Sequence, residues 1–487
     1  MGRDRGLIIA RTGKAWPKSI CPVLADDLPL LPQEILKLTT RQQAQLRRPR
    51  PFLFLAVLAV FGLPWFVLFR TGVQARRAAV EMDAAAAVFL AQFSQQPQNA
   101  AAKRFDRLAA DLGFVPNSAN GLLRVNITAE QDYREVEGLL DEFLQLQAAS
   151  LLPATVSMPA ELTQYLNDYN VPLAAIQTEL LEREAPLWEV DFERMSETRY
   201  SMPGFLNALN VQKLLLLSVV VHYRSGQIAQ MERALEASWR LNQAIATRSD
   251  LVSQLLVSLT TEKQAGILRH IDAMPAEFYE TWQVRFGEAS QRGTAALANG
   301  LQFDAWLQYT TLQGSLSRMT GGASKKSPSI DASVDLVSTL SYWFSPAYYF
   351  SLSNVDTNAA SQRALERLSR LDLCEVTRSE VLRQLDLEKT AVWNKTVVPS
   401  ETLARRWKDA GDRALAIELT QKVLLVKQLA QSDQWTEAMP DLRSEVCPGK
   451  SWVYEVDDDG TASLSFSIQM DSKALVPLTY HFDLSSD

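Results

Sequence analysis

Residues 226–251 read GQIAQMERALEASWRLNQAIATRSDL. Within them Ile228, Met231, Leu235, Leu241 and Ile245 fall on one stripe near the 3.6-residue period, while Glu232, Arg233, Glu236 and Arg240 fall on the opposite face. This is the pattern of an amphipathic helix opened after Gly226. Asp250 then supplies a short carboxylate at the position that caps a following helix. On that helix Leu251, Leu255, Leu256 and Leu259 point inward. Upstream, residues 214–221 read LLLLSVVV. The run is too short to cross a bilayer and reads as a core helix opened by Pro203-Gly204.

The same punctuation recurs outward from this centre. Residues 71–114 read as helix with a weak point near Pro97. Thr128 to Gln131 fits the T-x-x-Q capping box and predicts a helix through about Ala149. Ser157 before Pro159 marks another start, and Pro172 opens a helix ending near Pro186. Further helices are predicted over 276 to about 298, 334–344, 357–371, 375–393 and 400 to about 432, the last weakened at Gly411. Paired helices at this spacing predict a tetratricopeptide-like array of helical hairpins, although no 34-residue self-similarity occurs. Near the C-terminus the period changes to two. WVYEV at 452–456 and ASLSFSIQM at 462–470 alternate around an Asp-Asp-Asp-Gly turn signal. Residues 475–484 supply a third strand, which Pro477 assigns to an edge. The expected fold is mainly α, closed by a small antiparallel β meander.

The N-terminal region differs in chemistry. Residues 1–50 hold ten Lys and Arg against four acids, a charge of +6, whereas the remainder holds 39 basic and 52 acidic residues, a charge of −13. Between head and body lies FLFLAVLAVFGLPWFVLF, residues 52–69, with no charged side chain. As a helix it spans ~27 Å, close to the hydrocarbon thickness of about 30 Å. Arg50 and Arg70 stand where they can snorkel to the interfaces. Five basic residues (Lys37, Arg41, Arg47, Arg48, Arg50) precede it and three (Arg70, Arg76, Arg77) follow. That bias places the tail inside and the body outside, in the periplasm of a bacterium. A signal-peptidase-like Val73-Gln74-Ala75 leaves cleavage after Ala75 as the alternative. The expected organisation is a basic tail (1–50), a transmembrane helix (51–70), a helical domain (71–319), a flexible Gly/Ser/Lys loop (320–333), a second helical segment (334–447) and the meander (448–487).

Most chemical motifs fail on their spacing. The formal net charge of −7 argues against a nucleic-acid binder with a broadly basic surface. Three His and three Cys are too few for Cys/His zinc modules, and no metal or cofactor is expected. Pro448-Gly449-Lys450-Ser451 ends like a phosphate loop, but Ser444 stands where its first glycine is required. Glu455, Asp457, Asp459 and Gly460 start like a calcium loop, but Phe466 stands where its closing Glu belongs. His222, His270 and His481 are far apart, and each reads as a packed or surface residue. The Glu179 and Glu182 pair reads as a solvated face.

Two features remain as site candidates. Tyr342, Trp343, Phe344, Tyr348, Tyr349 and Phe350 put six aromatics within nine residues around Ser345-Pro346. Core packing, a ligand groove and contact with a membrane surface all suit such a cluster. Cys374 and Cys447, both in the exported body, are either a disulfide or two unpaired core residues.

Three segments carry a resemblance: 207–271 with its Leu-rich helix and LVSQLLVSL run, 345–368 (SPAYYFSLSNVDTNAASQRALERL), and Cys447-Pro448-Gly449-Lys450-Ser451-Trp452-Val453-Tyr454 after the long helix. The arrangement resembles an uncharacterised bacterial family of single-pass membrane proteins with mostly helical exported bodies. The resemblance implies an anchored periplasmic body and brings no assigned activity or catalytic residues. Two functions are expected on these grounds. One is a membrane-anchored periplasmic scaffold that binds another envelope protein. The other is an envelope hydrolase with a noncontiguous acidic site.

Overall fold

In a computed structural model, the described residues are 62, 77, 80–93, 97–114, 124–150, 156–189, 205–272, 274–319, 346–371, 374, 400–431, 441–457, 461–467 and 478–482. The chain divides into Met1–Thr71 and Gly72–Asp487, and the second unit holds the folded body. Among the described residues no helix is long and apolar enough to cross a membrane. The apolar segment 52–69 lies outside them apart from Gly62, as do the loop 320–333 and the helices predicted over 334–344 and 375–393.

The body is mostly helical. After a helical stretch at 80–90 come α1 (Ala100–Asp111), α2 (Ile127–Ala149), α3 (Ala160–Asp168), α4 (Asn170–Glu182), α5 (Phe205–Arg224), α6 (Ile228–Ala246), α7 (Leu251–Leu268), α8 (Ala276–Met319), α9 (Pro346–Arg370) and α10 (Ser400–Gln431). A meander of β1 (Trp452–Val456), β2 (Ala462–Phe466) and β3 (Thr479–Phe482) ends the fold.

Local chemistry accounts for several helix ends. The Asp250 carboxylate accepts from the Ser253 amide at 2.9 Å and starts α7. Asn99 caps α1 through the Ala102 amide at 2.8 Å, just after the break at Pro97. Gly226 takes the left-handed φ of 68° that lets the chain reverse between α5 and α6. Other starts differ from expectation. Helix α2 is capped by Asn126, which accepts from Ala129 at 3.2 Å, so Thr128 lies inside the first turn rather than at its cap. Helix α4 begins at Asn170 with Pro172 within its first turn, and it stops at Glu182. Helix α9 begins at Pro346, eleven residues before the expected start. The largest difference is α8. It continues past residue 298 to Met319 because Leu301, Phe303, Trp306 and Tyr309 find buried partners that periodicity alone does not reveal.

One apolar core joins α1–α7 to parts of α8 and α10. The stripe of α6 faces it: Met231, Leu235 and Leu241 are 0% exposed, whereas Ile228, at the helix start, is exposed. Helices α8 and α10 run antiparallel. Gln283 bonds Gln428 at 2.8 Å, Ser290 bonds the Ala414 carbonyl at 3.4 Å, and Leu297 and Leu301 share a cluster with Leu403 and Trp407. At the far half of α10, Leu415, Leu419, Val423 and Val426 recur at helical spacing and receive the inward faces of the sheet: Trp452, Leu464, Tyr480 and Phe482. The register pairs Trp452 with Phe466 and Leu464 with Tyr480, leaving β3 at an edge.

Candidate functional site

A cavity of about 470 Å³ opens where α6, α7, α8 and α10 meet. Each helix presents one face to it, as three- and four-residue spacings require. Helix α6 contributes Trp239 and Gln243, its C-cap Thr247 follows, and α7 contributes Gln254, Ser258 and Thr261. The opposite wall is built from small residues: Ala289, Gly293 and Ala296 of α8, and Ala410 and Ala414 of α10. Their missing side-chain volume leaves space that leucines would fill. A methyl group built on Gly293 meets no atom within 4 Å. The volume lies in the range of small-molecule and peptide side-chain pockets.

The charges at the rim are already engaged. The Arg285 guanidinium lies 4.7 Å from the Trp282 ring centre and 5.8 Å from that of Trp239, and it pairs with Glu236. Arg292 pairs with Glu288 one turn away at 2.5 Å. Glu288 is the one carboxylate among the described lining residues. Behind the wall runs a buried polar chain. Gln264 donates to Ser238 Oγ at 2.8 Å, and Ser238 donates to Gln212 Oε1 at 2.7 Å. Asn242 donates to Thr261 Oγ1 at 2.8 Å. These bonds lock α5, α6 and α7 together and fix the rotamer of Thr261, which faces the cavity.

A second polar cluster closes the C-terminal end of α7. Arg269, fully buried, donates from Nε to Thr420 Oγ1 at 2.6 Å and from Nη2 to the Ala416 carbonyl at 2.8 Å. Lys427 donates to the carbonyls of Arg269 and Ile271 and pairs with Asp272 at 2.5 Å. Tyr480 from β3 donates to the Arg269 carbonyl at 2.8 Å. Unbonded carbonyls at a helix end are thereby satisfied from α10 and the sheet. The cluster holds the elements together.

His270 sits in that cluster, and among the described residues neither ring nitrogen has a hydrogen-bond partner. Burial pushes its pKa down to about 3, and the charges of Arg269 and Lys427 push the same way. The folded pKa lies below the ordinary value of 6.5, so the folded state binds fewer protons than the unfolded chain in between. Its contribution is present above about pH 6.5 and is lost as pH falls through that window toward 3. Unfolding free energy is expected to drop by roughly 2 kcal/mol between pH 7.5 and pH 5 on this account. Urea melts of the wild type and His270→Phe at both pH values isolate it. Equal pH slopes in the two proteins would show that the drop has another source.

The aromatic run of the sequence lies elsewhere. Tyr349 and Phe350 are exposed in the first turns of α9, at 50% and 64%. Tyr342, Trp343 and Phe344, and the side chain of Tyr348, lie outside the described residues. Cys374 and Cys447 are bonded, with Cα atoms 5.7 Å apart, and tie the chain after α9 to the turn before β1. Pro448 to Ser451 forms that turn, with Gly449 at φ 79°, and a strand follows it. Glu179 departs from the solvated face expected of it. It is 6% exposed and pairs with Arg104 at 2.7 Å, because α1 packs on α4 there, while Glu182 pairs with Arg233. Among the described residues no group of three or more His, Cys, Asp and Glu is placed to hold a metal ion.

Fold and cleft together define a mostly helical body with an open inter-helix cleft and a small antiparallel sheet packed on its last helix. No protein-family model, curated protein or solved structure matches the chain.

Proposed function

We propose that this protein is a membrane-anchored helical scaffold whose body binds a polypeptide segment of another envelope protein in the cleft between α6, α7, α8 and α10. The cleft is the observation that carries the reading. Its walls combine a tryptophan face, amide and hydroxyl groups, and small residues that admit a side chain from outside. Paired-carboxylate hydrolysis needs two acids across a site, and the described lining offers Glu288, already paired with Arg292. That supports binding over hydrolysis. The apolar segment 52–69 and its flanking charges support the anchor, with the body on the periplasmic side. The Cys374–Cys447 bond supports an oxidising compartment for that body.

Gly293→Phe tests the cleft without breaking the fold, because its Cβ enters open space. Replacing a mid-helix glycine also favours the helix by a few tenths to about 1 kcal/mol. A photo-crosslinking residue at Ser258 in the full chain is expected to capture a polypeptide in membranes. Adding Gly293→Phe should cut that yield about tenfold, equivalent to about 1.4 kcal/mol of affinity, with the melting temperature held or raised. Equal crosslinking with and without Gly293→Phe would overturn the cleft as the binding site.

A further inference from the structure

The chain enters the body at one identifiable end. Tyr309 of α8 donates to Asp83 at 2.8 Å, Phe89 lies 6.4 Å from Trp306, and Phe93 lies 5.7 Å from Phe303. The helical stretch 80–90 therefore runs antiparallel to α8, with Val80 toward the Met319 end. Helix α9 is also antiparallel to α8. Asn354 bonds the Tyr309 carbonyl at 3.0 Å, while Leu365 and Leu368 pack with Leu297 and Leu301. The first turns of α9 thus lie at the same end as Val80.

That end exposes several apolar side chains beside the carboxylates of Glu81 and Asp83. Val80 is 62% exposed, Leu312 52%, Tyr349 50% and Phe350 64%. No charged residue occurs between Asp304 and Arg318, or from Pro346 through Val355. Ten residues, 70–79, separate the apolar segment from Val80, a reach of less than about 40 Å even fully extended. A bilayer crossed by 52–69 is therefore within reach of this end. Tyrosine and other aromatic side chains favour the headgroup region, where one side of the residue is apolar and the other wet.

We propose that the end of the body formed by Val80, Leu312, Tyr349 and Phe350 rests on the lipid surface, with Tyr349 and Phe350 seated at the headgroup level. The inference rests on the anchor reading above. It fixes which face of the array lies against the membrane.

The test uses the full chain in phosphatidylethanolamine–phosphatidylglycerol vesicles, with Cys21→Ser so that no native thiol competes for the label, Cys374 and Cys447 being bonded to each other. A nitroxide is placed through Phe350→Cys, or as a control through Val171→Cys on α4, which is 80% exposed. Collisions with oxygen and with a water-soluble nickel chelate are measured by electron paramagnetic resonance. The oxygen-to-nickel ratio is expected to be several-fold higher at 350 than at 171. Equal ratios would place this end in water and overturn the proposal. Shielding at 350 from both reagents would show a protein cover, a second copy or a partner, and would also overturn it. Alkaline carbonate extraction of the same vesicles separates the two readings. Retained protein with an aqueous label loses only the docking, whereas extracted protein with an aqueous label loses the anchor as well.

Discussion

Lys427→Ala is expected to lower the unfolding free energy by about 2–4 kcal/mol, since it leaves buried main-chain acceptors without their donor at about 1–3 kcal/mol each and removes a buried stem. The Lys427 ammonium, buried at 9% exposure, reaches three acceptors: the carbonyls of Arg269 and Ile271, and the Asp272 carboxylate. It also lies 5.4 Å from the Tyr480 ring centre. Asp272 is half exposed and rehydrates when its partner goes, which sets the loss toward the lower end. The Ile271 carbonyl loses the Lys427 donor, and the Arg269 carbonyl keeps Tyr480. Lys427→Met separates charge from volume, since the stem remains and the donors do not. Urea unfolding followed by circular dichroism should find the Met variant nearly as destabilised as the Ala variant. A Met variant as stable as wild type would mean that packing of the stem, rather than the capping bonds, holds this corner.

Gly266→Val is expected to cost about 3 kcal/mol or more. A Cβ at position 266 stands 2.7 Å from the Ala148 Cβ and 2.8 Å from both its Cα and its carbonyl oxygen. The obstacle is the backbone of α2, which cannot rotate away, and Ala148 is backed by Ala416 of α10. Overpacking of a filled core costs typically about 1–3 kcal/mol and at times more, and it outweighs the gain of up to about 1 kcal/mol from replacing a helical glycine. Gly138 of α2 supplies the control, because a Cβ there meets nothing within 4 Å. Gly138→Ala should therefore stabilise by about 0.5–1 kcal/mol, a change opposite in sign from a similar substitution. Thermal melts of both variants decide it. A Gly266→Val protein with an unchanged midpoint would show that α2 and α7 do not cross this closely.

Local signals carried much of the fold. Asp250 announced a cap because a short carboxylate before an apolar run has one local use, and the structure places it on the Ser253 amide. The stripe of Met231, Leu235 and Leu241 is buried as its period requires. The two-residue alternation around Asp457 became the β1–β2 pair. Periodicity predicts an end to α8 near residue 298, whereas its second half is held by contacts with 80–90 and α9 that lie far away in sequence. Glu179 looked solvated for the same reason: Arg104, its partner, stands 75 residues upstream.

The candidate site was the least legible part. Gly293, Ala296, Ala410 and Ala414 are small residues at helical spacing, and that much can be read. Which small faces meet, and whether they close or leave a void, depends on the antiparallel packing of α8 on α10. The sequence by itself determined the helical class, the C-terminal meander, many helix boundaries and an apolar segment set between a basic head and an acidic body, because each depends on neighbours within a few residues. Only the tertiary structure decided that Lys427 and Tyr480 would close the end of α7, that Cys374 would meet Cys447, and that four helices would part around a cleft. Those outcomes depend on which faces pack, and a helix face carries no local mark of the partner it will meet.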